Sequence, residues 1–140
     1  MTVLRFSTQM FDFTKAERPT INPVYGHTLA ELLRQEFKSL GHIVDENVEE
    51  EDWGWYFHTR HNEQEYMIGT CAYVEADEDN FEPVITSEPV EHLVQFDKKR
   101  TLKDVLWRKN KFMKDEPIIG LTEKILKRKI SDMTEYSKEY

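Results

Sequence analysis

The residues best equipped for chemistry fall together at Glu51-Asp52-Trp53-Gly54-Trp55-Tyr56-Phe57-His58. On an extended strand, residues two apart share a side, so Trp53, Trp55 and Phe57 point one way and Tyr56 and His58 the other. An indole pair beside carboxylates can hold a cationic or planar ligand through attraction to the ring face. Tyr56 and His58 offer a phenol and an imidazole on the opposite side, and Tyr73 joins them if the next β-rich run pairs back. Trp53, Trp55, Tyr56, His58 and Tyr73 are therefore the candidate ligand-binding residues. Tryptophans on the inner side of a strand also serve as core, and that reading stands beside the first.

Other chemistries find less support. His58 and His61 stand three apart with Glu63 and Glu65 close behind, and imidazole with carboxylate can coordinate a divalent ion. A helical His-Glu-x-x-His and paired cysteines are both missing from the sequence, so no metal is expected. Cys71, the single cysteine, lies among Gly69, Thr70, Ala72 and Tyr73, where a thiol packs as a small apolar group. No serine has a glycine-elbow context. Glycines 26, 41, 54, 69 and 120 are isolated, which disfavours a phosphate-cradling loop and leaves no cofactor implied. Asp45, Asp52 and Glu75 could meet as paired acids, but among 27 carboxylates that proposal has no specificity.

Charge is the stronger signal. The net charge of −8 combines 6 basic against 20 acidic residues up to residue 97, net −14, 12 against 4 over 98–129, net +8, and 1 against 3 over 130–140, net −2. Acidic density peaks at Glu49-Glu50-Glu51-Asp52 and at Glu75-Ala76-Asp77-Glu78-Asp79. The basic set runs through Lys98-Lys99-Arg100, Arg108-Lys109, Lys111 and Lys127-Arg128-Lys129. Three readings compete: neutralisation within the fold or across a dimer, docking of a basic protein on the acidic face, and phosphate contact by the basic stretch. Trp107 among Leu106, Arg108, Lys109 and Lys111 suits base stacking, or else anchors a terminal helix to the sheet. The overall charge repels a polyanion, so nucleic acid is the least favoured partner.

These residues need elements to hold them. Residues 2–6 read as a first strand, and 7–24 as a long connection packed down by Phe11 and Phe13. Thr28-Leu29-Ala30-Glu31 has the form of a capping box, and Leu29, Leu32, Leu33, Phe37 and Leu40 form one apolar stripe before Gly41. That spacing predicts a helix over about 29–40. His42-Ile43-Val44 begins a strand leading to an acidic turn over Glu49–Asp52. Residues 53–58 and 66–74 form a hairpin across Thr59–Glu65, and a turn centred on His61-Asn62 would set Gly54 opposite Gly69. Pro83 and Pro89 allow at most an edge strand over 81–89, and 92–96 reads as the last strand. Thr101-Leu102-Lys103-Asp104 starts a helix, and Ile118, Leu121, Ile125, Leu126, Ile130 and Met133 extend a second to about Tyr136.

The order predicts an α+β fold: a single two-layer domain over 1–140, with an antiparallel sheet of four or five strands, one N-terminal helix and two C-terminal helices. Its 140 residues, 39% hydrophobic, suffice for a core without disulfides. Neither a long apolar run nor a secretory layout is present, and the lone cysteine fits a reducing compartment, so a cytoplasmic setting without membrane contact is expected. The expected function is a binding or accessory protein without catalytic activity. Glu49, Glu50, Glu51 and Asp52 would be its partner-binding residues toward a protein partner or a second copy, and an immunity- or antitoxin-like role is one concrete form. The alternative is a small-ligand binder or enzyme with a pocket near Tyr56, His58 and Tyr73.

Overall fold

The computed structural model describes residues 2–13, 25–75, 77–79, 83–84 and 87–140. Among them, six strands form one antiparallel sheet: β1 (Val3–Thr8), β2 (Glu49–Glu51), β3 (Gly54–His61), β4 (Gln64–Ala72), β5 (Val90–Lys98) and β6 (Thr134–Glu139). They lie in the order β2-β3-β4-β5-β1-β6. The helices are α1 (His27–Ser39), α2 (Leu102–Leu106) and α3 (Pro117–Lys129). The α+β expectation holds, with one more strand and a different chain end. No described helix is long and apolar enough to cross a membrane. Residues 14–24 of the connection expected over 7–24 lie outside the described residues, as do 81–82 and 85–86 of the edge strand expected over 81–89, and β1 takes up residues 7 and 8 of that connection.

Alternation decides the layers. Leu4, Phe6, Phe57, Ile68, Val94 and Phe96 occupy the side of the sheet that meets Leu29, Leu33 and Phe37 of α1 and Ile118, Ile125 and Leu126 of α3. All twelve side chains are buried to 1% exposure or less. Phe11 and Phe13 pack on the buried His92 ring at 5.2 and 5.8 Å, as expected of the lead-in.

The stripe of α1 is as predicted, but the helix starts earlier and the Thr28–Glu31 box does not form. Its N-cap is Gly26, at φ 133. A Cβ there would lie 2.8 Å from Cys71 Cα and the Thr70 carbonyl, so only glycine fits. Glu31 instead accepts from Arg34 Nε and Nη2, at 2.9 and 2.5 Å.

The hairpin is also displaced. Asn62 and Glu63 form its two-residue turn, both left-handed at φ 50 and 66, as a tight hairpin of this hand requires. The turn is one residue later than expected, so Tyr56, not Gly54, lies opposite Gly69. The expected acidic turn over Glu49–Asp52 is largely strand: Glu49–Glu51 pair with β3, and only Asp52 and Trp53 turn.

Two corrections concern the C-terminal part. The predicted box at Thr101 forms, with Asp104 N donating to Thr101 Oγ1 at 3.0 Å, but α2 is only five residues long and buries none of them. Trp107 does not anchor it, being 67% exposed; Phe112 does so, stacked 6.2 Å from Phe96. The last helix stops at Lys129, and the chain then turns into β6, which pairs with β1. Met133 and Tyr136 keep helical spacing, yet the free edge of β1 supplies a ladder, and the Tyr136 hydroxyl and Lys138 both donate to Glu123 of α3.

The start of α3 is tied to the sheet by buried charge. Lys98 Nζ donates to Glu116 Oε1 at 2.7 Å, and the Tyr66 hydroxyl to Glu116 Oε2 at 2.6 Å. Burial works against the Glu116 charge, but its donors outweigh it and hold the carboxyl below its ordinary value. Burial and that carboxylate push the Tyr66 phenol up.

Candidate functional site

The second face of the sheet has neither α1 nor α3 on it, and the candidate residues divide between the two faces. Trp55 is on the covered side, 9% exposed, with its indole edge-on to His27 at 4.6 Å. Trp53 is not with it. Because Asp52 and Trp53 turn, the strand phase breaks before Gly54 and the Trp53 indole lies over Gly69 on the open face. A Cβ on Gly69 would fall 2.5 Å from that ring, so the glycine makes the seat for the indole. From Trp53 a line of rings runs along the open face: to Tyr56 at 6.2 Å, then edge-on to His58 at 5.5 Å.

His58 is held by a residue that spacing did not reveal. Asp45 Oδ2 lies 2.9 Å from His58 Nδ1 and accepts the His58 backbone N–H at 2.8 Å. The isolated bridge between Val44 and Thr59 brings Asp45 alongside. The strand expected at His42-Ile43-Val44 is reduced to that single bridge, which sets Asp45 opposite His58. Partial burial, and then the Glu51, Glu49 and Asp45 carboxylates, push the Tyr56 phenol up, so it remains a neutral donor at physiological pH.

The acidic run is sorted by the same alternation. Glu49 pairs with Tyr56 and Glu51 with Gly54, so both share the open face, while Glu50 pairs with Trp55. Asp52 is exposed in the turn. Three of the four predicted partner-binding residues thus border the ring line.

Tyr73 does not join Tyr56 and His58. Its N–H bonds to the Glu91 carbonyl beyond the end of β4, whereas His58 pairs with Met67 near the other end, about 20 Å away along the strand. Tyr73 lines a separate cleft of about 740 Å³ with Phe11, Phe13 and Val84 and the carboxylate residues Glu75 and Glu88.

Among the described residues no three potential metal ligands gather. His61 faces away from His58 and lies 5.3 Å from the His42 ring; burial, then His42, lowers its pKa. Burial pushes the Cys71 thiol up, so it remains a poor nucleophile at neutral pH. In the basic segment Lys98 pairs with Glu116, Lys99 with Glu65, and Arg128 and Lys129 with Glu36. Arg108, Lys109 and Lys111 are exposed and in no ion pair among the described residues.

This geometry defines an α+β protein in which the described helices α1 and α3 pack on one face of the sheet and an acid-edged aromatic line runs on the other. No protein-family model matches the chain, and neither a curated protein nor a solved structure matches it.

Proposed function

We propose that this protein is a docking module that binds a basic protein partner on the uncovered face of its sheet and carries out no covalent chemistry. The observation that carries this reading is the ring line Trp53-Tyr56-His58 on the face away from α1 and α3, bordered by Glu49, Glu51 and Asp52. Aromatic side chains supply contact area at low entropic cost, and surrounding carboxylates steer a cationic partner and set its register. Asp45 engages the His58 ring through Nδ1 on a side chain that is 40% exposed, which suits Nε2 to a hydrogen bond with a partner's backbone. A basic toxin is one chemistry that would fit, as an immunity-like role requires.

The test is capture from the source cell on immobilised wild-type protein and on a Trp53→Ala/Tyr56→Ala variant, at low and moderate salt. A protein held by the wild type, lost from the variant and weakened by salt is the expected result. Equal capture by both, or recovery of a small metabolite alone, overturns the reading.

The cleft at Tyr73 supports a second reading, a site for a cationic organic ligand between aromatic walls and carboxylates. A Tyr73→Ala variant that loses ligand-induced thermal stabilisation seen in the wild type would favour it over docking.

A further inference from the structure

A second surface stands out at the hairpin end of the sheet. There the chain leaves β5 at Lys98 and runs through α2 to Glu116, with Phe112 seated on Phe96 and Tyr66 of the covered face. Residues 98–115 hold eight basic and two acidic residues, net +6. Glu116 and Glu65 answer Lys98 and Lys99, and Asp104 closes the capping box with Thr101. Lys103, Arg108, Lys109, Lys111 and Lys114 are exposed, and none is in an ion pair among the described residues.

Among these cations the chain exposes an apolar face. Leu102, Val105 and Leu106 have the three- and four-residue spacing of one helical side, and with Trp107 they are 76, 51, 71 and 67% exposed. Exposed apolar groups gathered like this mark an interaction surface. The segment is built rather than frayed. Arg100 Nη2 donates to the carbonyls of Lys109 and Asp104, at 2.8 and 3.1 Å, and Asn110 donates to Gln64 of the hairpin at 2.9 Å. Arg108 and Asn110 are both left-handed, at φ 54 and 53, a conformation that non-glycine residues keep only where the surroundings impose it.

We propose that α2 and the turn after it attach this protein to the surface of a bilayer rich in anionic phospholipid. Leu102, Leu106 and Trp107 enter the headgroup boundary, and the free lysines and Arg108 meet the phosphates. A cluster of cations around an amphipathic turn that carries leucine and tryptophan is what such a surface draws. Four of the five free cations are lysine, which protein interfaces disfavour, and three aliphatic side chains beside a single ring exceed what base stacking uses. The net charge of −8 does not forbid the contact, because the acidic groups stand apart. Glu51 and Asp52 enter β3 and Glu75 and Asp77 follow β4 at the far end of the strands, about 25 Å from the hairpin and some three Debye lengths at physiological salt. Asp97 is nearer, but it pairs with Met67 on the open face, away from the side on which Phe112 seats the segment. Attachment to a surface needs no apolar run of spanning length, whose lack led to the expectation of no membrane contact. The patch is separate from the Trp53-Tyr56-His58 line, so it does not depend on the docking reading.

The test is flotation of the full chain with vesicles of phosphatidylcholine alone and of phosphatidylserine and phosphatidylcholine in equal parts, at low and moderate salt. The expected result is binding to the serine-containing vesicles that weakens as salt rises and is about tenfold lower on phosphatidylcholine alone. Lys109→Glu/Lys111→Glu should lower partitioning about tenfold or more, and Leu106→Ser/Trp107→Ser should do the same. Glu51→Gln/Asp52→Asn, at the acidic end, should leave it within about twofold. These positions are exposed, so circular dichroism should match the wild type throughout. No binding to anionic vesicles overturns the proposal, and so does binding indifferent to either patch variant. A rise in Glu51→Gln/Asp52→Asn as large as the fall in Lys109→Glu/Lys111→Glu would assign the effect to net charge and overturn it as well. Tighter binding to a single-stranded oligonucleotide than to the vesicles, lost in the same patch variants, would overturn it in favour of nucleic acid.

Discussion

The two faces of one sheet have been put to opposite uses. On the covered face, Phe57 and Ile68 are neighbours across β3 and β4 with no exposure, closed over by α1 and α3. One residue along, Tyr56 and Gly69 are neighbours on the open face, where the Trp53 indole from the preceding turn and the Gln95 side chain lie against the glycine. The backbone ladder is the same for both pairs, so the difference lies in what each face meets. The covered face gains by excluding water, and the open one retains aromatic and charged groups that folding alone does not require. If this division is right, damage to the first face should unfold the chain, and damage to the second should cost binding.

The largest effect is expected at the centre of the covered face. Phe57→Ala deletes a ring from a fully buried position and should cost about 3–5 kcal/mol of stability, read from denaturant midpoints at constant slope. A loss under about 1 kcal/mol would mean that the helices do not close on this face as described. Next is Glu116→Ala, which leaves Lys98, with a 10% exposed side chain, charged and without its carboxylate. The expected loss is about 3 kcal/mol. Glu116→Gln keeps the Tyr66 contact and should lose less; a loss near zero in Glu116→Gln would show that the ion pair contributes nothing beyond packing.

His92 gives the covered face a pH dependence. It is 1% exposed, stacked on Phe6 at 5.5 Å, and burial lowers its pKa to about 4 despite the Val90 carbonyl and Asp132, which oppose the shift. The folded value lies below the unfolded one, so the neutral ring's contribution is complete above the unfolded pKa and is lost as pH falls toward the folded one. The window runs from about pH 6.5 down to about pH 4, and across it stability should fall by roughly 3 kcal/mol. His92→Phe should flatten the upper part of that fall, above the range where carboxylates such as Glu116 and Asp132 titrate. An unchanged slope in the variant would assign the acid sensitivity to the carboxylates instead.

How much of this was legible in the sequence follows from which forces act locally. The stripe of α1 and the pairing of β3 with β4 were readable, because hydrophobic period and turn composition are local. The phase of Trp53 was not: alternation carries a residue to the correct face only while the strand continues, and the chain turns at Asp52 and Trp53. A turn displaced by one residue exchanged Gly54 for Tyr56 opposite Gly69. β6 was hidden because Thr-Glu-Tyr-Ser-Lys-Glu has little strand preference of its own and extends only against the edge of β1. The link from Asp45 to His58 was hidden because it depends on an isolated bridge, and Gly26 replaced the expected cap because of Thr70 and Cys71, distant in sequence.

The smallest effect on stability is expected on the open face, and there the comparison between the faces is sharpest. Trp53→Ala removes a large side chain that is 40% exposed and rests on a glycine, while Phe57, four residues later, is sealed. If the open face is a binding surface, Trp53→Ala should change stability by less than about 1 kcal/mol, several times below the Phe57→Ala cost, and still abolish capture of the partner. Gly69→Ala offers an independent route to the same state. Its Cβ displaces the indole without deleting it, so it should weaken docking while the far-ultraviolet spectrum and unfolding slope stay those of the wild type. Should either variant instead unfold the chain as Phe57→Ala does, Trp53 would belong to a second small core, and the open face would be a structural layer like the one behind it.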